Sequence, residues 1–423
     1  MNTFTHKILT VFRDPVMRTR IGFTIGALIL FRALATIPIP GVDVLALKNL
    51  LTSSQFFGFL NIFSGGGLSN LSIVMLGVGP FITASIVIQL LTMMFPSWKA
   101  MLHEEGEAGR MKLSNYSRLL SVPLALVSSI GFLSLLQSQN VLPQVTLFDF
   151  VLNVIIVSAG SILLMWIGEL ISEFGIGNGV SLIIFAGIVA VLPTNISQFL
   201  AAYNPAEIPV YLIAVVIGII VIAGVVFVTE AERSVPVTYA KQVRGNKVYG
   251  GTSTYLPLRL NQAGVIPIIF ALSILLFPQI IATALSRASI PAIADFATWA
   301  TVFLNNPWVH GGAYFVLVVL FTYFYTAVTF DPKLISENLQ RSGAFIPGVR
   351  PGEHTRDHLA AIVTRITLVG ALFLGIIAIL PLLMQTFTAN QNLAIGGTAL
   401  LIVVSVVLDL LKKIDAQVAM REY

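Results

Sequence analysis

The sequence predicts an all-α polytopic membrane protein with ten transmembrane helices in two inverted five-helix halves and one additional half-helix. Three observations lead to this fold class. The 423 residues are 56% hydrophobic and only 10% charged. Apolar runs of about 20 residues, the length that an α-helix needs to cross a bilayer, recur along the chain. Lysine and arginine concentrate in alternate connections, as they do in segments that stay in the cytoplasm.

The composition excludes a water-soluble fold and several kinds of site. Soluble domains carry about 25% charged residues, far more than the 10% of this chain. The absence of cysteine excludes disulfides, thiolate catalysis and cysteine-ligated metals. The basic N-terminal segment leads into an apolar run without a small-residue cleavage site, so we expect an uncleaved first span.

Ten segments are apolar and long enough to be spans. They lie near 21–38, 73–94, 117–137, 151–171, 180–199, 209–229, 262–285, 311–330, 360–384 and 393–411. The fifth segment has the weakest pattern because Pro193 interrupts it.

The basic residues orient these spans. Lys48 and Arg287 fall on one side of the membrane, Arg32 lies within the first span, and the remaining 21 of the 24 lysines and arginines fall on the other side. The positive-inside rule then places both termini in the cytoplasm.

Ten spans divide into two sets of five. An odd number of spans per half makes the second half enter from the opposite side, so we expect an inverted pair with a pathway at its interface, near the midplane. The polar loop Leu192–Glu207 marks the boundary, which gives halves at 1–203 and 204–423.

The stretch Phe56–Met94 carries the most unusual pattern. A short apolar segment breaks at Gly65-Gly66-Gly67, restarts through Leu68–Ser72, and becomes an uninterrupted apolar run only from Ile73 onward. Lipid cannot satisfy the backbone of a broken helix, so such an element must be covered by protein or line a cavity. We therefore interpret it as a gate or a binding element.

Two cytoplasmic loops, 229–260 and 331–358, are longer than a connection requires. The first alternates Val, Thr and Tyr around Arg-Gly-Asn-Lys, which predicts a β-hairpin with a basic tip. The second contains two Pro-Gly turns on either side of Arg350. The positive-inside rule alone explains the charge but not the turns, so we interpret both loops as a docking surface for a large partner.

Ionisable residues are nearly absent from the spans. Ion-coupled transporters keep ionisable residues within their spans because these residues form the ion pathway or the proton relay. Arg32 is the exception, and snorkelling or pairing explains it as well as a role in a pathway does. Glu169, Glu173 and Asp409 lie at span ends, and no HExxH, GxSxG or Walker motif occurs. We therefore expect neither an enzyme nor a metal or cofactor, but a pathway lined by apolar residues.

Four segments carry a resemblance to a known family. They are NIFSGGGLSNLSIVMLGVGPFITASIVIQLL at Asn61–Leu91, LMWIGELISEFGIGNGVSLIIFAGIVAVLP at Leu164–Pro193, LPLRLNQAGVIPIIFA at Leu256–Ala271 and FIPGVRPGEHT at Phe345–Thr355. In motif order and number of spans, essentially the whole chain resembles the SecY family, the channel subunits of the bacterial protein translocase.

The resemblance implies residues for a pore ring and a plug. An Ile pair four residues apart is by itself more typical of ordinary helix packing. The residues that match the family's apolar pore ring are Ile82, Ile86, Ile184, Ile188, Val265 and Ile269. The tenth span leaves Ile402, Val403 and Val406 open, and we expect Val403. The segment at about 56–72 is similar to the plug that seals the external side, with Asn61, Ser64, Gly65, Gly66, Gly67, Leu68 and Asn70.

The resemblance also implies docking and gate residues. Arg350 matches the arginine of the family's IPG-x-RPG turn, which is implicated in engaging the motor ATPase SecA. Lys241, Arg244 and Lys247 lie on the loop that meets the ribosome or the motor. Gln89 and Asn261 are polar candidates for the lateral gate, where the second and third spans face the seventh and eighth.

The implied function is a passive, gated channel in the bacterial cytoplasmic membrane for unfolded secretory polypeptides, which also releases membrane segments sideways into the lipid bilayer. Implied partners are SecE and SecG, SecA, the ribosome, signal peptides and nascent polypeptides. Two alternatives remain at this stage. A small-solute transporter with inverted repeats would need an ionisable site in its spans, and a scaffold without a pathway would have no use for the glycine break.

Overall fold

The computed structural model describes residues 14–40, 64, 66–138, 142, 146–201, 208–240, 242–244, 247–249, 253–285, 291–388 and 396–419. All statements of structure refer to these residues. The described chain is largely helical, with five short strands confined to two of its connections.

The N-terminal part of the described chain contains α1 (Pro15–Leu34), α2 (Gly79–Met94), α3 (Pro96–Glu104), α4 (Gly106–Ser138), α5 (Leu147–Phe174) and α6 (Gly179–Ala201). The first five predicted spans coincide with α1, α2, α4, α5 and α6. The short helix α3, which the sequence did not predict, connects α2 to α4 and contacts both.

The C-terminal part contains α7 (Ile208–Glu230), α8 (Ile266–Leu285), α9 (Pro291–Asn305), α10 (Pro307–Thr329), α11 (Pro332–Arg341), α12 (Glu353–Thr388) and α13 (Gly396–Ala419). Predicted spans six to ten coincide with α7, α8, α10, α12 and α13. The helices α9 and α11, which precede and follow α10, were not predicted.

The strands form a basic-tipped hairpin, as predicted. β1 (Glu232–Tyr239) pairs antiparallel with β4 (Ser253–Arg259), and β2 (Gln242–Arg244) pairs with β3 (Lys247–Tyr249). β5 (Ala344–Phe345), from the second long loop, adds to the free edge of β1. Apolar side chains of this sheet pack on the start of α12, so the two long loops form one structural unit.

Local signals explain several helix starts. Asp14 caps α1 by accepting a hydrogen bond from the Val16 N–H at 2.9 Å, with Pro15 in the first turn. Asn306 caps α10 in the same way through the Trp308 N–H, and Asp331 caps α11. These polar caps separate helices that would otherwise read as one apolar run.

Several boundaries differ from the prediction, the largest shift being that α4 begins at Gly106 and not near 117. Two of the differences involve the segment between α1 and α2. The second span was expected to be continuous from Ile73, but α2 begins only at Gly79. The preceding residues form turns, because the Ile73 N–H donates to the Ile37 carbonyl at 3.0 Å and Gly77 has a φ of +58°. The first span was expected to continue to residue 38, but α1 ends at Leu34 and Pro38 pairs with Ser72 instead.

The fifth span is stronger than expected, since α6 continues through Pro193 to Ala201. A proline removes one helical hydrogen bond, and membrane helices tolerate this loss when neighbouring groups satisfy the freed backbone.

Four described helical segments are long and apolar enough to cross a membrane by length and composition: Gly106–Gln137, Leu147–Phe174, Pro307–Arg341 and Glu353–Leu380. Further apolar helices are shorter, among them α2 and the first part of α6. Some of the shorter helices pack against several neighbours. For example, α2 contacts α4, α5 and α8.

The helices approach closely at small residues. Gly160 of α5 lies against the irregular segment before α2, and a Cβ at this position would overlap the Ile73 carbonyl oxygen. The neighbouring Ser161 hydroxyl donates to the Gly77 carbonyl at 2.8 Å. The segment is therefore held against α5 by both shape and hydrogen bonding.

We expect Gly160→Ala to lower the stability of the protein, because the added methyl group meets a backbone carbonyl that cannot move independently. Overpacking of this kind costs about 1–3 kcal/mol, measurable as a lower midpoint of thermal unfolding in detergent. Gly26→Ala is the matched control, since no atom lies within 4 Å of a Cβ at Gly26 of α1. Equal midpoints for the two variants would contradict the close approach.

Candidate functional site: an apolar constriction, a plug seat and a gate cavity

Six predicted ring residues meet in one buried apolar cluster. Ile82 and Ile86 come from α2, Ile184 and Ile188 from α6, and Val265 and Ile269 from the start of α8. Each is at most 7% exposed. Residues four apart lie on the same face of a helix, so each Ile pair presents two successive side chains to the other helices.

The tenth span contributes differently from the expectation. Val403 is only partly buried and packs against the cluster, whereas Ile402 and Val406 are 1% and 6% exposed and belong to it. Ile402 and Val406 have the same four-residue spacing as the other pairs, and Val403 lies on a neighbouring face of α13. All three residues contact the cluster, so the prediction of Val403 stays a prediction.

The chemistry of this region is that of a dry seal. No Asp, Glu, Lys or Arg is buried anywhere in the described part of the chain. An apolar constriction resists wetting and so blocks ions without binding them. The arrangement can close around a passing chain, but it offers no charged site to select a small ion.

The described part of the plug is a single 3₁₀ turn at Leu68–Asn70, not the longer helical restart that the sequence suggested. Leu68 and Leu71 are fully buried in a second apolar cluster with residues of α4 and α5. The Ser64 hydroxyl accepts a hydrogen bond from the Leu68 N–H at 3.0 Å. Asn61 and Gly65 lie outside the described residues.

Two more hydrogen bonds fix this turn. The Asn70 side chain donates to the Ala35 carbonyl at 3.3 Å, and the Ile39 N–H donates to the Leu71 carbonyl at 2.9 Å. Leu71 has a φ of +41°, a left-handed conformation that is strained for a leucine. The turn is therefore bound to the end of α1. We call the end of α1, together with Leu68 and Leu71, the plug seat.

Gly66 occupies a place that only glycine fits. Its φ is +80°, and a Cβ would lie 3.1 Å from Val191 Cγ2 of α6 and 3.4 Å from Arg32 Nη1 of α1. Arg32, which the sequence left between a stabilising and a pathway role, thus lies beside the glycine turn. Val191 was missed by the sequence analysis, and no pattern in the sequence marks it.

The plug seat and the ring cluster are joined by Ile73. This partly buried residue packs against both apolar clusters. It lies between the 3₁₀ turn and α2, so a displacement of one cluster acts on the other through the same short segment.

A cavity of about 510 Å³ opens between α2, α4 and α10. It is lined by apolar residues such as Phe81 and Ile88 and by polar ones such as Ser85, Gln89 and Ser117, with Arg110 and Asp331 also on its wall. The Oε1 atom of Gln89 is buried and has no hydrogen-bond partner among the described residues. The cavity separates helices of the two halves at the predicted lateral gate.

Asn261, the other predicted gate residue, does not line this cavity. It is 6% exposed, and its side-chain amide donates to the Gly264 carbonyl at 3.2 Å. Its Cα would lie 3.9 Å from a Cβ at Gly370 of α12. The structure therefore places Asn261 in the turn before α8, against α12.

The predicted docking residues lie at the β-structure. Arg244 is in β2 and Lys247 in β3, while Lys241 lies outside the described residues. Arg350 is exposed in the turn between β5 and α12, where Gly348 and Gly352 have φ values of +81° and +95°. The Thr355 hydroxyl donates to the Arg350 carbonyl at 2.9 Å and fixes this turn.

Comparisons with known proteins agree with this architecture. The chain is 40% identical to the protein translocase subunit SecY of Mycobacterium tuberculosis, over 98% of each chain. It is also 40% identical to the corresponding subunit of Corynebacterium glutamicum, again over 98% of each.

Solved structures show the same fold at lower identity. One described as a protein conducting channel has a TM-score of 0.65 at 20% identity, covering 95% of this chain and 92% of that one. Sec61 in the canine ribosome-channel complex from the endoplasmic reticulum has a TM-score of 0.64 at 19% identity, with the same coverage. The sequence model of the SecY family matches residues 72–411. The chain therefore belongs to the SecY family.

Proposed function

We propose that this chain is the central subunit of a protein-conducting channel. It passes unfolded secretory polypeptides across the membrane and releases membrane segments laterally into the lipid. The observation that supports this most directly is the apolar cluster to which α2, α6, α8 and α13 all contribute. Such a constriction seals against ions when empty and adapts to a chain of variable sequence, because it makes no specific polar contacts.

The residues have distinct roles in this proposal. The side chains of Ile82, Ile86, Ile184, Ile188, Val265 and Ile269 form the ring, and Ile402 and Val406 complete it better than Val403 because they are buried with it. The segment at about 56–72 is the plug. Gln89 lies in the lateral gate cavity, and Asn261 supports the turn that leads into the gate helix α8.

Opening would proceed through this arrangement. A signal segment enters between α2 and α8, the halves at 1–203 and 204–423 rock about the connection between α6 and α7, and the plug leaves its seat. This connection is shorter than the predicted loop Leu192–Glu207, because α6 continues to Ala201. The ring then closes around the passing polypeptide. The buried side chains supply no ionisable coupling site, and nothing in the comparisons favours a small-solute transporter.

The work of transport would come from partners, because the chain carries no catalytic motif of its own. We assign SecA and the ribosome to the cytoplasmic β-structure and to Arg350, and SecE and SecG to the outer surface of the two halves. Support comes from the related channel that was solved with a ribosome. The protein would be a multi-pass component of the bacterial cytoplasmic membrane, with both termini in the cytoplasm.

The ring is tested by Ile86→Thr combined with Ile188→Thr. Each substitution replaces an ethyl group by a hydroxyl, and the two together weaken the apolar seal by roughly 3 kcal/mol, which corresponds to a rise in open probability of about 100-fold. The measurement is ion conductance of the reconstituted protein in planar bilayers. Ile219→Thr on α7 is the control, since Ile219 is 60% exposed and outside the cluster. A double variant as silent as the parent, with solute accumulating in vesicles, would rule out the channel.

The plug is tested by Gly66→Ala. A left-handed conformation costs an alanine about 1–2 kcal/mol, and the methyl group also meets Val191, so we expect the closed state to lose stability and channel openings to become more frequent by about tenfold. Deletion of residues 61–71 gives the reference for an unplugged pore.

Gly106→Ala is the matched control for this experiment. Gly106 has a φ of +60°, but a Cβ there would meet nothing within 4 Å. It starts α4, away from the plug seat. If both alanine variants open equally often, backbone strain alone explains the effect and the plug assignment of Gly66 fails.

The docking role of Arg350 is tested by Arg350→Glu. We expect the affinity for SecA to fall about tenfold, since reversing a charge at an interface costs on the order of 1.4 kcal/mol. The channel itself should stay closed to ions in planar bilayers. Arg341→Glu is the control, because Arg341 is also exposed, lies on the same loop and pairs only with its neighbour Glu337. Equal loss in both variants would indicate general electrostatics and not a specific contact.

A further inference from the structure

The connection between α8 and α10 exposes a row of aromatic side chains. On α9, Phe296 is 66%, Trp299 60% and Phe303 49% exposed. The rings contact one another: Phe296 and Trp299 lie 5.9 Å apart, and Trp299 and Phe303 are stacked at 5.3 Å with an interplanar angle of 12°. The three side chains therefore form one continuous apolar surface, which we call the aromatic edge.

The helix has two different faces. Positions 296, 299 and 303 have the spacing of one side of an α-helix, and Ala297 on the opposite side is 2% exposed. In sequence, Asp295 is the only Asp, Glu, Lys or Arg between Arg287 and Asp331. A solvated surface helix would carry charges on its exposed face, so the aromatic edge is unsuited to water.

Its length excludes a membrane span. Fifteen residues give about 22 Å at 1.5 Å per residue, less than the roughly 30 Å of the hydrocarbon core. A helix of this kind, apolar on one exposed edge and too short to cross, matches the helices that lie in the plane of the bilayer surface.

The aromatic edge continues a surface that faces lipid. One residue, Asn306, separates α9 from the transmembrane helix α10. In the first turn of α10, Trp308 is 70% exposed, and further along Val316 and Leu320 are 59% and 55% exposed. Tryptophan is enriched where a span meets the membrane surface, so Trp308 marks the level at which α9 lies.

We propose that α9 is an interfacial membrane anchor whose partner is the lipid bilayer itself. Phe296, Trp299 and Phe303 insert about 5–10 Å into the boundary between headgroups and acyl chains. Since the helix has a single charge, this insertion does not depend on anionic lipid. The proposed topology is needed only to place α9 on the external side of the membrane. The contact of α9 with lipid does not depend on that topology.

The anchor has a consequence for the gate. Described residues of α9 contact both α8 and α10. Insertion of the aromatic edge therefore holds the outer end of α8, the gate helix, at a fixed depth in the membrane.

The test is fluorescence quenching by brominated lipids in the full-length protein, reconstituted into phosphatidylcholine vesicles. A variant that keeps only Trp299, with Trp98, Trp166 and Trp308 replaced by Phe, reports on α9. A second variant that keeps only Trp166 is the matched control, because Trp166 is also 60% exposed but lies within the long transmembrane helix α5.

We expect Trp299 to lose more intensity with bromines near the headgroup end of the acyl chain than with bromines near its terminus. Added anionic lipid should leave this loss unchanged. Quenching of Trp299 by aqueous iodide with no quenching by brominated lipid would overturn the proposal. Protection of Trp299 from both quenchers would also overturn it, because it would indicate a covering protein chain. Deep quenching identical to that of Trp166 would also overturn it. None of these outcomes depends on channel activity.

Discussion

The structure depends on one constraint of the lipid environment: a buried backbone amide or carbonyl without a partner costs several kcal/mol there. Regular helices meet this requirement by themselves. The described residues between the end of α1 and the start of α2 do not form a regular helix, and their backbone groups pair with one another and with α5 instead. The Ile37 carbonyl accepts from Ile73, the Leu71 carbonyl accepts from Ile39, and the Ser161 hydroxyl donates to Gly77. Protein groups thus take the place that water would have elsewhere.

The need to pair the backbone groups of this segment determines how the elements around it are arranged. Gly160 of α5 must stay small so that the Ile73 carbonyl can approach. The Pro38–Ser72 bridge shortens both flanking helices and places the 3₁₀ turn at the end of α1. These contacts join residues that are far apart in the chain, so the segment is held in place without being part of a long helix.

The two apolar clusters have complementary properties. The ring cluster draws on helices from the whole chain, from α1 to α13, and holds no specific polar contact. The plug seat, in contrast, combines buried leucines with directed hydrogen bonds. A seal made of apolar side chains adapts to many shapes, whereas hydrogen bonds select one geometry. The two clusters thus differ in the kind of contact that holds them, and Ile73 packs against both.

The sequence by itself determined the ten apolar segments and the basic-tipped hairpin. These depend on local properties, namely the length of an apolar run and the alternation along a strand. The ring residues could be named only because a family resemblance was added to the four-residue spacing on a helix, and their role in a pore stays a prediction.

Only the tertiary structure decided the start of α2 at Gly79, the difference in burial between Ile402, Val403 and Val406, and the separation of Asn261 from the cavity that Gln89 lines. It also revealed the aromatic edge of α9. Each of these follows from contacts between residues far apart in the chain, such as Ile37 with Ile73 and Asn261 with Gly370. Within a chain that is apolar nearly everywhere, hydrophobic pattern cannot distinguish a side chain that faces the pathway from one that faces lipid. That distinction arises only when the helices pack.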